Sequence, residues 1–244
     1  MPSRDASMSA PDANLLPNDV IQRMDARIAT WTHRGDGRAM FLQCYRIMTG
    51  NMIRALERDA SRGGFRDPVW VNGLLRRFAD YYFRALRQYE SGSPATPRIW
   101  QQAHDVSLSE EAPAVTRLLL GINAHINYDL VLTLDEWLRP EWDGCSADLR
   151  TLRYADHCQV NTIISASIDA VQNDVLRPQM PLTGILDALL GPVDEMLISE
   201  LVAAWRETVW QSACELLDAT TPEERAAVIE HVEQRCLRIA ERIH

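Results

Sequence analysis

Gly121, His125 and Asp129 fall at intervals of four in LLLGINAHINYDLVL, residues 118–132. On a helix, that spacing puts an imidazole and a carboxylate one turn apart on one face, where they can share a proton or a metal ion. Gly121, one turn further back, is expected to leave open space beside the imidazole. The neighbours Leu118, Leu119, Leu120, Ile122, Ile126, Leu130, Val131 and Leu132 make this helix apolar on nearly all sides, as buried helices are. Four polar side chains inside it, Asn123, His125, Asn127 and Asp129, therefore need partners, because buried polar groups left unpaired are costly. Two uses fit: a hydrogen-bonded network that fixes helix packing, or a catalytic or metal site.

A second polar stripe follows. His157, Asn161, Ser165 and Asp169 recur every four residues, with Asp156 beside them. If two antiparallel helices carried the two stripes, they would face each other across a bundle core. His157 and Asp169 read equally well as part of a solvated face. His104 and Asp80 read as surface or capping residues. The residues expected to do chemistry are thus His125, Asp129, Asp156 and His157. His125, Asp129 and His157 are the expected metal donors. Asn123, Asn127, Asn161 and Ser165 are expected to orient ligands or to bind substrate.

The segment LLLGINAHINYDL resembles the signature of a bacterial family of unknown function, whose members carry a similar Asn-Ala-His-Ile-Asn-x-Asp-Leu helix. A downstream Asp and Asn of that family are echoed by Asp156 and Asn161. The resemblance spans about residues 35 to 215 and implies no activity. Gly121, His125 and Asp129 are also similar to the Gly-x-x-x-His-x-x-x-Asp helix of the zinc-dependent phospholipase C and nuclease superfamily, which is all-helical. That likeness implies bound zinc. The later His-x-x-x-Glu of the superfamily is His157 and Asn161 here, so at most one or two metals are implied. Asn161, Ser165 and Asp169 are similar in spacing to the second magnesium motif of class I terpene cyclases, with Asp135 and Glu136 in place of the aspartate-rich motif.

Helices must position these groups, and helical signals run along the chain. Asn18 is expected to cap a helix carrying Val20, Met24, Ile28 and Trp31. The turn HRGDG ends it. A second helix carries Met40 to Leu56, and the loop SRGGFRDP leads to a third with Leu74, Phe78, Tyr82 and Leu86. Ser107 and Glu110 have capping-box spacing for the His125 helix, expected to span about 111–137 and to stop near Pro140. Ser146 opens a helix expected to reach Arg177. Pro192 and Pro222 begin the last two, the latter with Thr221 and Glu224 as cap and capping-box partner. Asn-Ala-His-Ile-Asn-Tyr-Asp-Leu alternates polar and apolar, the period of a strand, yet lies inside a long run without turns. Helix is the reading.

The 244 residues carry a net charge of −9, all their positive charge being arginine, which argues against a nucleic-acid partner. The five cysteines are odd in number and form no C-x-x-C pair, which argues against a disulfide framework. No signal peptide and no membrane span are visible, so a cytoplasmic location is expected. The fold expected is an all-α single domain, a bundle of roughly eight to ten helices over residues 17–244, after a disordered leader over 1–16. The function expected is a metal-assisted enzyme, using Zn, Fe, Mn or Mg, that hydrolyses or cyclises a small lipid-like or isoprenoid-like substrate, phosphorylated or not. The alternative is a non-enzymatic ligand-binding or structural module. A homo-oligomer is compatible with either.

Overall fold

The computed structural model describes residues 17–179 and 192–243, and the segment expected to be a leader lies outside them. The described residues are helical almost throughout, with no strand. Helix α1 (Pro17–Arg34) buries Val20, Met24 and Trp31, as the spacing predicts, and starts at Pro17, one residue ahead of the expected Asn18 cap. Gly35, at φ +68°, ends it in the left-handed conformation that glycine adopts without steric cost. Helix α2 (Arg38–Leu56) follows, then α3 (Pro68–Glu90). The Asp67 carboxylate accepts the Trp70 amide at 3.0 Å, and Pro68 fills the first turn of α3.

Helix α4 (Arg98–Leu108) contains Ser107, whose hydroxyl bonds the Ala103 carbonyl at 2.7 Å. Ser107 therefore caps nothing, and the next helix begins instead behind Pro113. From there one unbroken rod runs as α5 (Ala114–Ile122), a π-helical turn (Asn123–Asp129) and α6 (Leu130–Trp142). Pro140 sits inside α6, which ends two residues later than expected. Helix α7 (Ala147–Ser165) is capped by Ser146, whose Oγ accepts the Leu149 amide. It stops well short of Arg177: Ala166 and Ser167 form a turn, then come α8 (Ile168–Val171), a second π-turn (Gln172–Leu176) and a 3₁₀ turn. Helices α9 (Pro192–Asp218) and α10 (Pro222–Ile243) complete the chain. Glu224 accepts the amides of Thr220 and Thr221, while Thr221 Oγ accepts the Glu224 amide, the reciprocal box that the sequence specifies.

The rod α5–π–α6 is the axis of the bundle. Its π-turn packs on α3, α4, α9 and α10, α5 packs on α2 and α4, and α6 on α3 and α9. Helix α7 lies elsewhere, against α2 and α9. The two polar stripes are consequently not face to face.

Candidate site at the central π-turn

The strand-like alternation of residues 123–129 is resolved by geometry. A π-turn bonds i to i+5, which widens the helix. The Leu130 amide donates to the His125 carbonyl five residues back. In this wide turn Asn123, Ala124, His125, Asn127, Tyr128 and Asp129 are all buried, so every polar side chain that the sequence singles out faces protein. Asn127 Nδ2 donates to Asn123 Oδ1 at 2.9 Å, and Asn123 Nδ2 to the Cys236 carbonyl of α10 at 2.8 Å. These two asparagines clamp the π-turn to α10. They do not border the cavity described below, so the expectation that they touch substrate is not supported by their placement.

Asp129 gathers donors. His125 Nδ1 lies 3.0 Å from Asp129 Oδ2, and the indole N–H of Trp100 reaches Oδ1 at 3.0 Å and Oδ2 at 3.1 Å. Donors converging on both oxygens favour the carboxylate form and orient the imidazole with Nδ1–H toward Asp129. Nε2 is then left with a lone pair, and it has no hydrogen-bond partner among the described residues. Phe78 stacks on the imidazole, ring centroids 3.7 Å apart at 8°, and Tyr45, Phe41 and Tyr82 close around it edge-on. Desolvation in this aromatic cage holds His125 below the ordinary histidine pKa, so the ring is neutral at pH 7. Burial likewise raises Asp129, against the pull of His125 and Trp100.

Gly121 does not open space beside His125. A Cβ there would come within 2.5 Å of the Phe41 ring, so the missing side chain admits Phe41. The open space lies on another side. A cavity of about 260 Å³ runs between α2, α3, α5, α7 and α9, walled by aliphatic and aromatic side chains. Its few polar residues include His125, Asp156, His157, Gln172 and Arg206. Asp129 stands behind His125, outside the lining.

Of the second group of expected site residues, Asp156 and His157 border this cavity, and none makes a hydrogen bond to the first group. Both oxygens of Asp156 accept backbone amides, of Arg66 and Asp67, at 2.8 Å each. His157 uses both nitrogens on Arg206 of α9: Nε2 donates to its carbonyl at 3.0 Å, and Nδ1 accepts from Nη2 at 3.3 Å. Desolvation, then the Arg206 charge, keeps His157 well below the usual range. Asn161 Oδ1 accepts Arg206 Nε at 2.7 Å. Ser165 meets Ser199 in an exposed contact away from the cavity. The expected trio of metal donors is thus not assembled: His157 and Asp129 are fully engaged, and no described group of three or more His, Cys, Asp or Glu side chains is placed to hold a metal ion. The turn at 166–167 breaks the terpene-cyclase spacing and leaves Asp169 exposed, while Asp135 is bound by Arg139 and Arg225. His104, expected at the surface, is buried against Trp100, and burial pushes it down to about 3. Asp80 is partly exposed and pairs with Arg23 at 3.6 Å.

Residues 18–244 match the model of a family of unknown function, DUF5995. The chain belongs to that family. No curated protein and no solved structure matches it. The DUF5995 match takes in both the π-turn and every wall of the cavity, and says nothing of chemistry. Nor is any described helix long and apolar enough to cross a membrane.

Two residues central to this site escape the sequence reading. Trp100 carries no motif. Arg206 does leave a trace: Val202, Val209, Ala213 and Leu216 are buried at helical core spacing, and Arg206 occupies the vacant core position among them.

Proposed function

We propose that this protein binds an elongated, largely apolar small molecule in the central cavity and that His125, oriented by Asp129, serves as an acid–base group toward it. One observation carries the reading. A neutral, fully buried imidazole with an unpartnered Nε2 belongs to the wall of an apolar cavity near the lower end of the roughly 300–1,000 Å³ range of small-molecule sites. A purely structural network would satisfy its polar atoms internally. Here Trp70 Nε1 and Gln172 Nε2, both in residues of the same wall, also have no partner among the described residues. An Asp-held imidazole suits general acid–base catalysis, since the carboxylate fixes the tautomer and stabilises the imidazolium as it forms. The substrate class is lipid-like or isoprenoid-like, because the wall offers dispersion contacts nearly everywhere and polar contacts at few points. Metal assistance is not needed for this step.

A second reading has its own support: among the described residues the His125 ring has no hydroxyl or thiol partner, only Asp129, as suits a carrier that binds without reacting. Organic extraction and mass spectrometry of purified wild type beside His125→Gln separate the two. An enzyme yields bound substrate enriched in the variant and converted on incubation with wild type. A carrier yields the same unchanged molecule from both. Absence of any bound or bindable apolar molecule in wild type would sink both readings.

A further inference from the structure

Arg206 is 4% exposed, lines the apolar cavity, and forms no ion pair with any described carboxylate. Among the described residues its partners are all neutral: Asn161 Oδ1, His157 Nδ1 and the His157 carbonyl, the last at 2.7 Å. Desolvation lowers its pKa to about 10, which leaves it cationic at neutral pH. Asp156, the one carboxylate among the described lining residues, is held by the Arg66 and Asp67 amides and forms no ion pair with Arg206. A buried guanidinium without a counter-charge is costly, and an anion entering the cavity would relieve that cost. Gln172 supplies a second donor. It is 7% exposed, lines the same cavity with Nε2 unpartnered among the described residues, and directly follows α8, which packs on the Arg206 helix.

We propose that Arg206, with Gln172, receives the anionic head of an amphipathic acid whose apolar chain fills the cavity. The ligand chemistry is a single carboxylate or phosphate on a hydrocarbon body. Asn161 and His157 are positioning residues: their neutral acceptors aim the guanidinium without neutralising it. His157 can do so only while uncharged, which its burial enforces.

This inference rests on the cavity being a binding site, and the test keeps the two apart. Dodecanoic acid, dodecyl phosphate and dodecanol are titrated into wild type, Arg206→Lys and Arg206→Gln by calorimetry at pH 7, with circular dichroism confirming the helical fold. Wild type is expected to prefer an anionic probe over the alcohol by about ten- to a hundredfold, the value of a charge-assisted hydrogen bond. Arg206→Lys retains most of that preference, and Arg206→Gln loses it while still binding the alcohol. Whichever anion binds more tightly identifies the head group. Equal binding of acid and alcohol by wild type overturns the anionic-head proposal and leaves the cavity reading standing. Failure of all three probes to bind wild type overturns both. If Arg206→Gln does not fold, Gln172→Leu, a smaller change, must still reduce the anion preference; an unchanged preference counts against the proposal.

Discussion

Trp100 on α4 donates its indole N–H to both carboxylate oxygens of Asp129, at 3.0 and 3.1 Å, while His125 approaches Oδ2 at 3.0 Å. An aromatic residue 29 positions away thus decides how a histidine–aspartate pair is held.

Replacing Trp100 by Phe keeps a ring in the core and removes that donor. The buried carboxylate then loses a charge-assisted bond, at a cost of about 1–3 kcal/mol. Urea unfolding of the variant beside wild type measures it. Equal stability would mean that Asp129 is held by His125 alone.

Stability should fall as pH drops below about 6.5. Burial depresses His104, His125 and His157, so the unfolded chain takes up their protons first. Each contributes stability that is present above pH 6.5 and is lost toward its folded pKa, at up to about 1.4 kcal/mol per pH unit. Asp129, raised by burial, acts in the opposite sense, protonating first in the native state, and cancels at most one of the three protons. Unfolding free energies at pH 7, 6 and 5 test the slope, and His104→Phe should flatten it. A slope that is flat in wild type would contradict the burial of these rings.

Gly121→Ala sets two terms against each other. Alanine is the better helix former by about 1 kcal/mol. Its Cβ, however, would lie 2.5–2.8 Å from three Phe41 carbons, and such overpacking costs about 1–3 kcal/mol. The close contact should win, lowering the thermal midpoint, and Phe41→Leu in the same chain should restore part of the loss. A stabilised single variant would show that Phe41 moves aside freely.

Asp156→Asn distinguishes scaffold from chemistry. The amide can accept only one of the two backbone N–H groups that the carboxylate holds, so about 1–3 kcal/mol of stability should go. Binding of dodecanoic acid should survive. Loss of binding in a folded variant would return Asp156 to the site itself.

Much of this was legible in the residues. Period-3.6 apolar positions place α1, α2 and α3, and local chemistry places the starts of α7 and α10, because Ser146 and the Thr221–Glu224 box act within one turn. Asn123, His125, Asn127 and Asp129 stand out as polar groups in an apolar helix, and all four are buried. Other inferences failed for identifiable reasons. The capping spacing of Ser107 and Glu110 was outcompeted by the Ser107–Ala103 bond and by Pro113. Helix α7 stops at the 166–167 turn, where Ser167 Oγ bonds the Ile163 carbonyl and accepts from Asn51.

By itself, then, the sequence determined the all-helical class, the starts of α7, α9 and α10, and the identity of the buried polar turn, since propensity, capping and periodicity operate within a few residues. Which groups became partners was decided only in the tertiary structure. His125 and His157 look interchangeable along the chain, yet packing gives the first Asp129, Trp100 and an unpaired Nε2, and engages both nitrogens of the second on Arg206. Those pairings depend on which helices pack together, and helix packing is settled by how a whole apolar surface is buried.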